Sequence, residues 1–355
     1  MKSQIITLLY AIVTCLSTDG QQFSGPLYGY QDPISSDAYY QRKVHVTQNS
    51  RHQPEYYGYE PTCPDAEDIA PCVCTYNSEE NALDLECSSV ESEDQLKQIF
   101  QSYFPFMNFR SFYIQNNNNI KVLKAGVFNG ISFERIIIEH SNLEIIELQA
   151  LDSCYETLSE IFVHINKMTY FPFDELSHFS KLSYLFIEEN SLSMIPANAF
   201  NGLTALELIY IWGNHANIVG TFKDLPSLQQ INLASNVLTN NTLPTNFMKT
   251  GSSDLKYIAL YDSDIVSVEP GAFDIVEGLR INMDINALST LEEATWRPYL
   301  EAQVYLSALF NPLVCGCDIA WLFGEDHLLE QVDKSTTCTD GEYLHDLDPK
   351  IFENC

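Results

Sequence analysis

Basic residues are scarce in this chain. Eighteen Lys and Arg stand against 48 Asp and Glu over 355 residues, a formal net charge of −30. A basic footprint for nucleic acid is therefore missing, and an anionic membrane surface would repel the chain. The acidity favours solubility, keeps like copies apart and suits a cationic partner, although an acidic exterior alone accounts for it without a dedicated cation site. Long apolar runs are also missing. The run at residues 5–16 is too short for a spanning helix, and no other segment reaches 18 apolar residues. No hydrophobic tail for a lipid anchor precedes Cys355. The common catalytic signatures are absent as well: no H-E-x-x-H, no G-x-S-x-G, no G-x-x-x-x-G-K-[ST] and no G-x-G-x-x-G. The chain is expected not to be an enzyme, with no catalytic residue, no cofactor and no metal site.

The opening "MKSQIITLLYAIVTCLS" is a positive charge, a short apolar run and small polar residues. That is the pattern of a secretory signal peptide, assigned to residues 1–18 with cleavage between Ser17 and Gly20. Residues 19–62 are rich in Tyr, Gln, Pro and Ser and poor in aliphatics, a composition that cannot bury a core and is expected to be disordered.

Cysteine supports an extracellular assignment. Of ten cysteines, Cys15 falls in the leader. Cys63, Cys72, Cys74 and Cys87 cluster near the mature start, and Cys315, Cys317, Cys338 and Cys355 cluster at the end. In a secreted chain such clusters form disulfide frameworks. Zinc binding at the two C-x-C pairs is disfavoured, because no histidine spacing accompanies them. Spacing alone leaves three connectivities open for each set of four. Cys154 remains as an odd thiol, read as a buried structural side chain, with an intermolecular bond as the other possibility.

Between the clusters one frame recurs. "LSYLFIEENSLSMIP" carries Leu182, Leu185, Ile187, Leu192 and Ile195 around Asn190. The same spacing surrounds Asn166, Asn214 and Asn236, at intervals of 24, 24 and 22 residues. This is the leucine-rich-repeat signature L-x-x-L-x-L-x-x-N-x-L. Weaker copies centre on Asn117, Ser141, Ser263, Asn286 and Asn311, giving nine units. The fold class expected is an α/β-type solenoid, a leucine-rich-repeat horseshoe with a parallel sheet on its concave face. Asparagine is required where each coil turns inward, because backbone groups there are buried without a strand partner and an amide can both donate and accept. Stacked repeats expose a hydrophobic end, so caps are needed. The division is an N-terminal cysteine cap at 63–105, repeats at 106–313 and a C-terminal cysteine cap at 314–355.

Alternate side chains of each strand point out of the concave face. One outward column runs Tyr113, Ile137, Phe162, Phe186 and Tyr210, with Trp212 beside its end. With strands about 4.8 Å apart this is a ribbon of about 20 Å. Exposed apolar ribbons mark interaction sites, so these six residues are the expected partner-binding surface. Side chains that merely stack along the sheet are the alternative. On the next column His164 is expected between Glu139 and Glu188. Asn240, in Asn240-Asn241-Thr242, is the N-glycosylation acceptor.

The segments "CPDAEDIAPCVC", "DQLKQIFQSYFPFMNF", "LKAGVFNGISFERI" and "YFPFDELSHFSKL" resemble the non-catalytic, leucine-rich-repeat subunits of the secreted luciferases (luciferin 2-monooxygenases) of decapod shrimp and related secreted arthropod proteins. The resemblance runs from about Cys63 to the C-terminus. "NPLVCGCDIAWL" resembles the C-terminal flanking cap of extracellular leucine-rich-repeat proteins. These resemblances imply pairs Cys63–Cys74, Cys72–Cys87, Cys315–Cys338 and Cys317–Cys355. They also imply a partner-binding role without catalysis, with an extracellular protein partner such as a small catalytic subunit. A matrix or adhesion protein and an innate-immune recognition module are the alternatives.

Overall fold

The computed structural model describes residues 60–324 and 326–355. The leader and most of the Tyr-rich segment lie outside the described residues. Gly58–Cys355 forms one compact unit.

Its main element is an eleven-stranded sheet. An antiparallel hairpin, Val73–Asn77 with Ala82–Glu86, opens it. Nine strands follow, all parallel from Ala82–Glu86 onward, running from Asn108–Gln115 through Glu160–Phe162, Tyr184–Phe186 and Leu208–Tyr210 to Tyr305–Ser307. Each of the nine sequence units supplies one strand. The frame positions stack in register: Ile161, Leu185, Ile209, Ile231, Ile258, Ile281 and Leu306 pair rung by rung. All seven are buried in a single hydrophobic core cluster, so no rung buries its apolar face alone.

After the strand the chain turns through the ladder residue. The position just before it is left-handed in all nine rungs: Asn116, His140, Ile165, Glu189, Gly213, Ser235, Asp262, Ile285 and Phe310 have φ between 49° and 70°. Only Gly213 adopts this without steric cost. For β-branched Ile165 and Ile285 the cost is on the order of 1–2 kcal/mol each. The next residue holds the turn. Asn190 donates through Nδ2 to the carbonyls of Val163, Ile187 and Glu188 at 2.9, 3.0 and 3.2 Å. Its Oδ1 accepts the Met168 N–H of the preceding rung at 3.1 Å. Asn166, Asn214, Asn236 and Asn311 repeat the pattern, accepting from Leu143, Leu192, Ala216 and Leu288. Serine does part of the same work: Ser141 Oγ accepts the Asn117 N–H at 3.0 Å and donates to the Glu139 carbonyl.

The back of the solenoid is short 3-10 turns and extended pieces, such as Leu148–Cys154 and Phe173–His178. Rings line its inner side in a continuous series from Phe171 and Phe173 through Phe200, Phe222, Phe247 and Phe273 to Tyr299, with neighbouring centroids 5.1–6.4 Å apart. Aromatic neighbours at such distances add to area burial. Cys154 is buried and unpaired, its Sγ accepting the Phe133 N–H at 3.3 Å. Burial pushes its thiol pKa up, against the opposing effect of that hydrogen bond. The inert structural thiol is therefore the state that the structure describes.

Both ends are stapled by disulfides joining Cys63 to Cys74, Cys72 to Cys87, Cys315 to Cys338 and Cys317 to Cys355. These are the pairs that the resemblances imply. The N-terminal module closes over a cluster in which Phe100 packs on Phe104, Phe112, Phe128 and Phe133. The C-terminal module seats Trp321 on the last rungs, where Nε1 donates to the Leu291 carbonyl at 3.0 Å and the Arg297 guanidinium lies 5.5 Å from the ring.

Candidate partner-binding face

The concave face carries the residues singled out from the sequence, and the register brings them together as expected. Tyr113 pairs with Ile137, Ile137 with Phe162, Phe162 with Phe186, and Phe186 with Tyr210. None of Ile137, Phe162, Phe186 and Tyr210 joins the interior core cluster, so the column lies on the opposite side of the sheet from the Leu/Ile frame.

Exposure departs from the expectation. Ile137, Phe162, Phe186 and Tyr210 are at most 2% exposed, so the ribbon is not an open apolar strip. Parallel strands hold successive rings at stacking distance: Phe162 and Phe186 have centroids 4.6 Å apart, Phe186 and Tyr210 4.9 Å, both pairs within 14° of parallel. Each ring covers the faces of its neighbour. The Tyr210 hydroxyl also donates to Gln230 Oε1 at 2.9 Å. Stacking along the sheet, the alternative reading, is therefore present. Only Tyr113 and Trp212, at the two ends of the set, are half-buried.

Beside the column run acidic and imidazole groups. His164 Nε2 lies 3.0 Å from Glu139 Oε2, an ion-pair distance without the alignment of a hydrogen bond. The Gln115 amide donates to Glu139 Oε1 at 2.5 Å from the other side. Glu188 is buried on the next rung, two residues after the Phe186 that pairs with Phe162. Further along, Asp284 accepts from the Ser307 hydroxyl at 2.6 Å and the Leu309 N–H at 2.8 Å. Burial raises its carboxyl above the usual range, against the pull of those bonds. On the opposite margin Arg110 joins Asp84 and Glu80 across two strands, and Arg135 lies 3.2 Å from Glu160. Sequence reasoning missed these cross-strand pairs, which the outward position at the start of each strand could have revealed. Among the described residues no three His, Cys, Asp or Glu side chains come together in a way that could hold a metal ion.

A family model for the leucine rich repeat matches residues 180–238. The Oplophorus-luciferin 2-monooxygenase non-catalytic subunit of Oplophorus gracilirostris is 32% identical over 316 residues, covering 82% of this chain and 87% of its own length. The chain belongs to the family of that subunit. Toll-like receptor 9 of Mus musculus is 30% identical over 141 residues, which are 38% of this chain but only 13% of the receptor. Among solved structures, a chain of the octameric complex of latrophilin 3, Unc5D and FLRT2 matches with a TM-score of 0.51 and 19% identity, covering 69% of this chain and 82% of that one. That likeness shows the fold alone, a leucine-rich-repeat solenoid.

For this subunit family member, the ladder asparagines, the register and the terminal disulfides fix a rigid concave sheet. Trp212 and Tyr113 are the members of the sequence-derived site that remain half-open at its surface.

Proposed function

We propose that the chain is a secreted, non-catalytic scaffold that binds an extracellular protein partner through the amino-terminal half of its concave face. The observation that carries the reading is the column of Tyr113, Ile137 and the stacked rings of Phe162, Phe186 and Tyr210, with half-buried Tyr113 at one end and half-buried Trp212 beside the other. A rigid aromatic platform orders few new rotamers on binding, and Trp and Tyr supply most hot-spot energy in interfaces. The relative is named a non-catalytic subunit. By that likeness the partner proposed here is the small catalytic chain of a luciferin monooxygenase-like complex. The terminal disulfides support an oxidising, extracellular site of action. Among the described residues no helix is long and apolar enough to cross a membrane.

Burial of the column decides how this is tested. Aspartate at Phe162 or Phe186 would place a charge among buried rings and threaten the fold. Tyr113→Ala with Trp212→Ala is the cleaner change. Secreted chain carrying both substitutions should fold normally and bind its co-purified catalytic partner with a loss of about 2 kcal/mol or more. Unchanged affinity places the partner elsewhere. Oxidation of a luciferin by the isolated chain would overturn the non-catalytic reading.

Secretion also makes Asn240 a glycosylation site in this proposal. It is exposed in the Thr239–Asn241 turn, with φ 64°. Enzymatic deglycosylation should lower the mass of the secreted chain, and Asn240→Gln should abolish that shift. A parent chain with no glycan mass would refute it.

A further inference from the structure

The flank of the solenoid, where the chain leaves the asparagine ladder, carries a second apolar column that the binding reading above does not use. Short strands form there, including Val122–Leu123, Ile145–Ile146, Met194–Ile195, Asn217–Ile218 and Val237–Leu238. In each, the second side chain enters the core and the first points out. Several outward positions along this flank are large and apolar: Ile145 is 50% exposed, Tyr170 65%, Met194 49% and Val237 43%. Ile145, Tyr170 and Met194 each stand four residues after the ladder residue of three consecutive rungs. Register continues the column, pairing Met194 with Asn217 and Asn217 with Val237. Rungs about 4.8 Å apart put Ile145, Tyr170 and Met194 within about 10 Å of one another along the flank, and Val237 two rungs further on. Exposed Asn217 separates Val237 from the unbroken apolar part, Ile145, Tyr170 and Met194. Exposed apolar patches rimmed by polar groups mark interaction surfaces.

The rim identifies the occupant. Beside the first rungs lie Glu144, next to Ile145 and paired with Lys121, and Asp174 and Glu175, close to Tyr170; Glu147 and Lys167 flank them in sequence. Lys121 is already held by Glu144 at 2.9 Å. The Tyr170 phenol is pushed up by partial desolvation and then by the nearby Asp174 and Glu175 carboxylates, which places those acids within electrostatic reach of the stripe. A second copy of this chain would bring another −30 to an acidic rim, which charge repulsion disfavours. We propose that the Ile145–Tyr170–Met194–Val237 stripe is a docking surface for a cationic amphipathic segment of a partner protein, with apolar side chains on the stripe and Lys or Arg on the acidic rim. This surface is separate from the concave column, so it stands or falls independently of the reading above.

Two twelve-residue peptides probe it, one alternating leucine with lysine and the other leucine with glutamate. The full chain should bind the Leu-Lys peptide and not the Leu-Glu peptide. Backbone hydrogen exchange should slow at 142–147, 167–172 and 191–196. Tyr170→Ser with Met194→Ser, which changes no charge and touches only exposed side chains, should weaken binding about tenfold or more. Tyr113→Ala with Trp212→Ala should leave it within about twofold. Equal binding by the serine pair would reduce the effect to attraction by net charge and overturn the proposal. So would preference for the Leu-Glu peptide, protection confined to the concave strands, or a parent dimer in sedimentation that the serine pair dissolves.

Discussion

Asn190→Leu is expected to lower stability by about 3 kcal/mol, through one lost hydrogen bond more than through the other three. The three carbonyls that Nδ2 reaches keep other donors. Val163 O still accepts from Asn166, Ile187 O from Asn214, and Glu188 O from the Ile165 N–H. The Met168 N–H is different. It is buried in the turn of the preceding rung, and Asn190 Oδ1 is its hydrogen-bond acceptor, at 3.1 Å. Leucine fits the volume but accepts nothing, so a buried donor is stranded at a cost of about 1–3 kcal/mol. The lost bonds to the carbonyls add about 1 kcal/mol. The left-handed Glu189 loses the contacts that hold its turn. Because Ser141 performs the acceptor half of the task natively, Asn190→Ser should cost about half as much. Asn198→Leu, on an exposed position, should stay within about 0.5 kcal/mol. Denaturant unfolding of the three variants measures the order. If Asn190→Leu unfolds like the parent, the ladder does not hold the turns.

What could be read from the sequence follows from what repeats. A frame at intervals of 22–24 residues has no other economical packing than stacked coils, so strand number, register and the side each frame residue faces were all legible from Leu182, Leu185, Ile187 and Asn190 and their copies. The disulfide pairs were legible only through resemblance, because four cysteines on a cap can close in three ways and the backbone path chooses. The left-handed residue before each asparagine was not legible at Ile165 or Ile285. Local propensity argues against it, and the ladder imposes it from the tertiary level. Exposure of the ring column was misjudged for a related reason. Alternation says which way Phe162 and Phe186 point, but not that these stacked rings, 4.6 Å apart, are left at most 2% exposed. The flank stripe went unseen because Ile145, Tyr170 and Met194 sit beside core positions and, in one dimension, look like core.

Cys317→Ser should be the other severe change, for a reason that lies mostly in the unfolded chain. The bond from Cys317 to Cys355 spans 38 residues. Loop-closure entropy for a ring of that size corresponds to about 4 kcal/mol, within the usual 2–5 kcal/mol for a native disulfide of a secreted domain. The folded side explains why the cap cannot hold without it. The Cys317–Phe323 turn buries Ile319, Trp321 and Leu322 on the last rungs. The chain then returns through Pro349–Phe352, whose Phe352 ring lies 4.6 Å from Phe323. That return segment has no buried residues of its own, so packing alone holds it weakly. Releasing it uncovers the open end of the solenoid, and end caps are what keep stacked repeats soluble and cooperative. The variant should secrete poorly, and what is secreted should melt well below the parent. A free Cys355 could itself cause retention by mispairing, so Cys317→Ser with Cys355→Ser separates the two causes. If the missing constraint is what matters, the double variant melts like the single one, because both partners of one bond contribute a single energy. If the double variant recovers the parent melting temperature, the loss came from the exposed thiol. Unchanged melting in both variants would mean that the cap stands by packing alone.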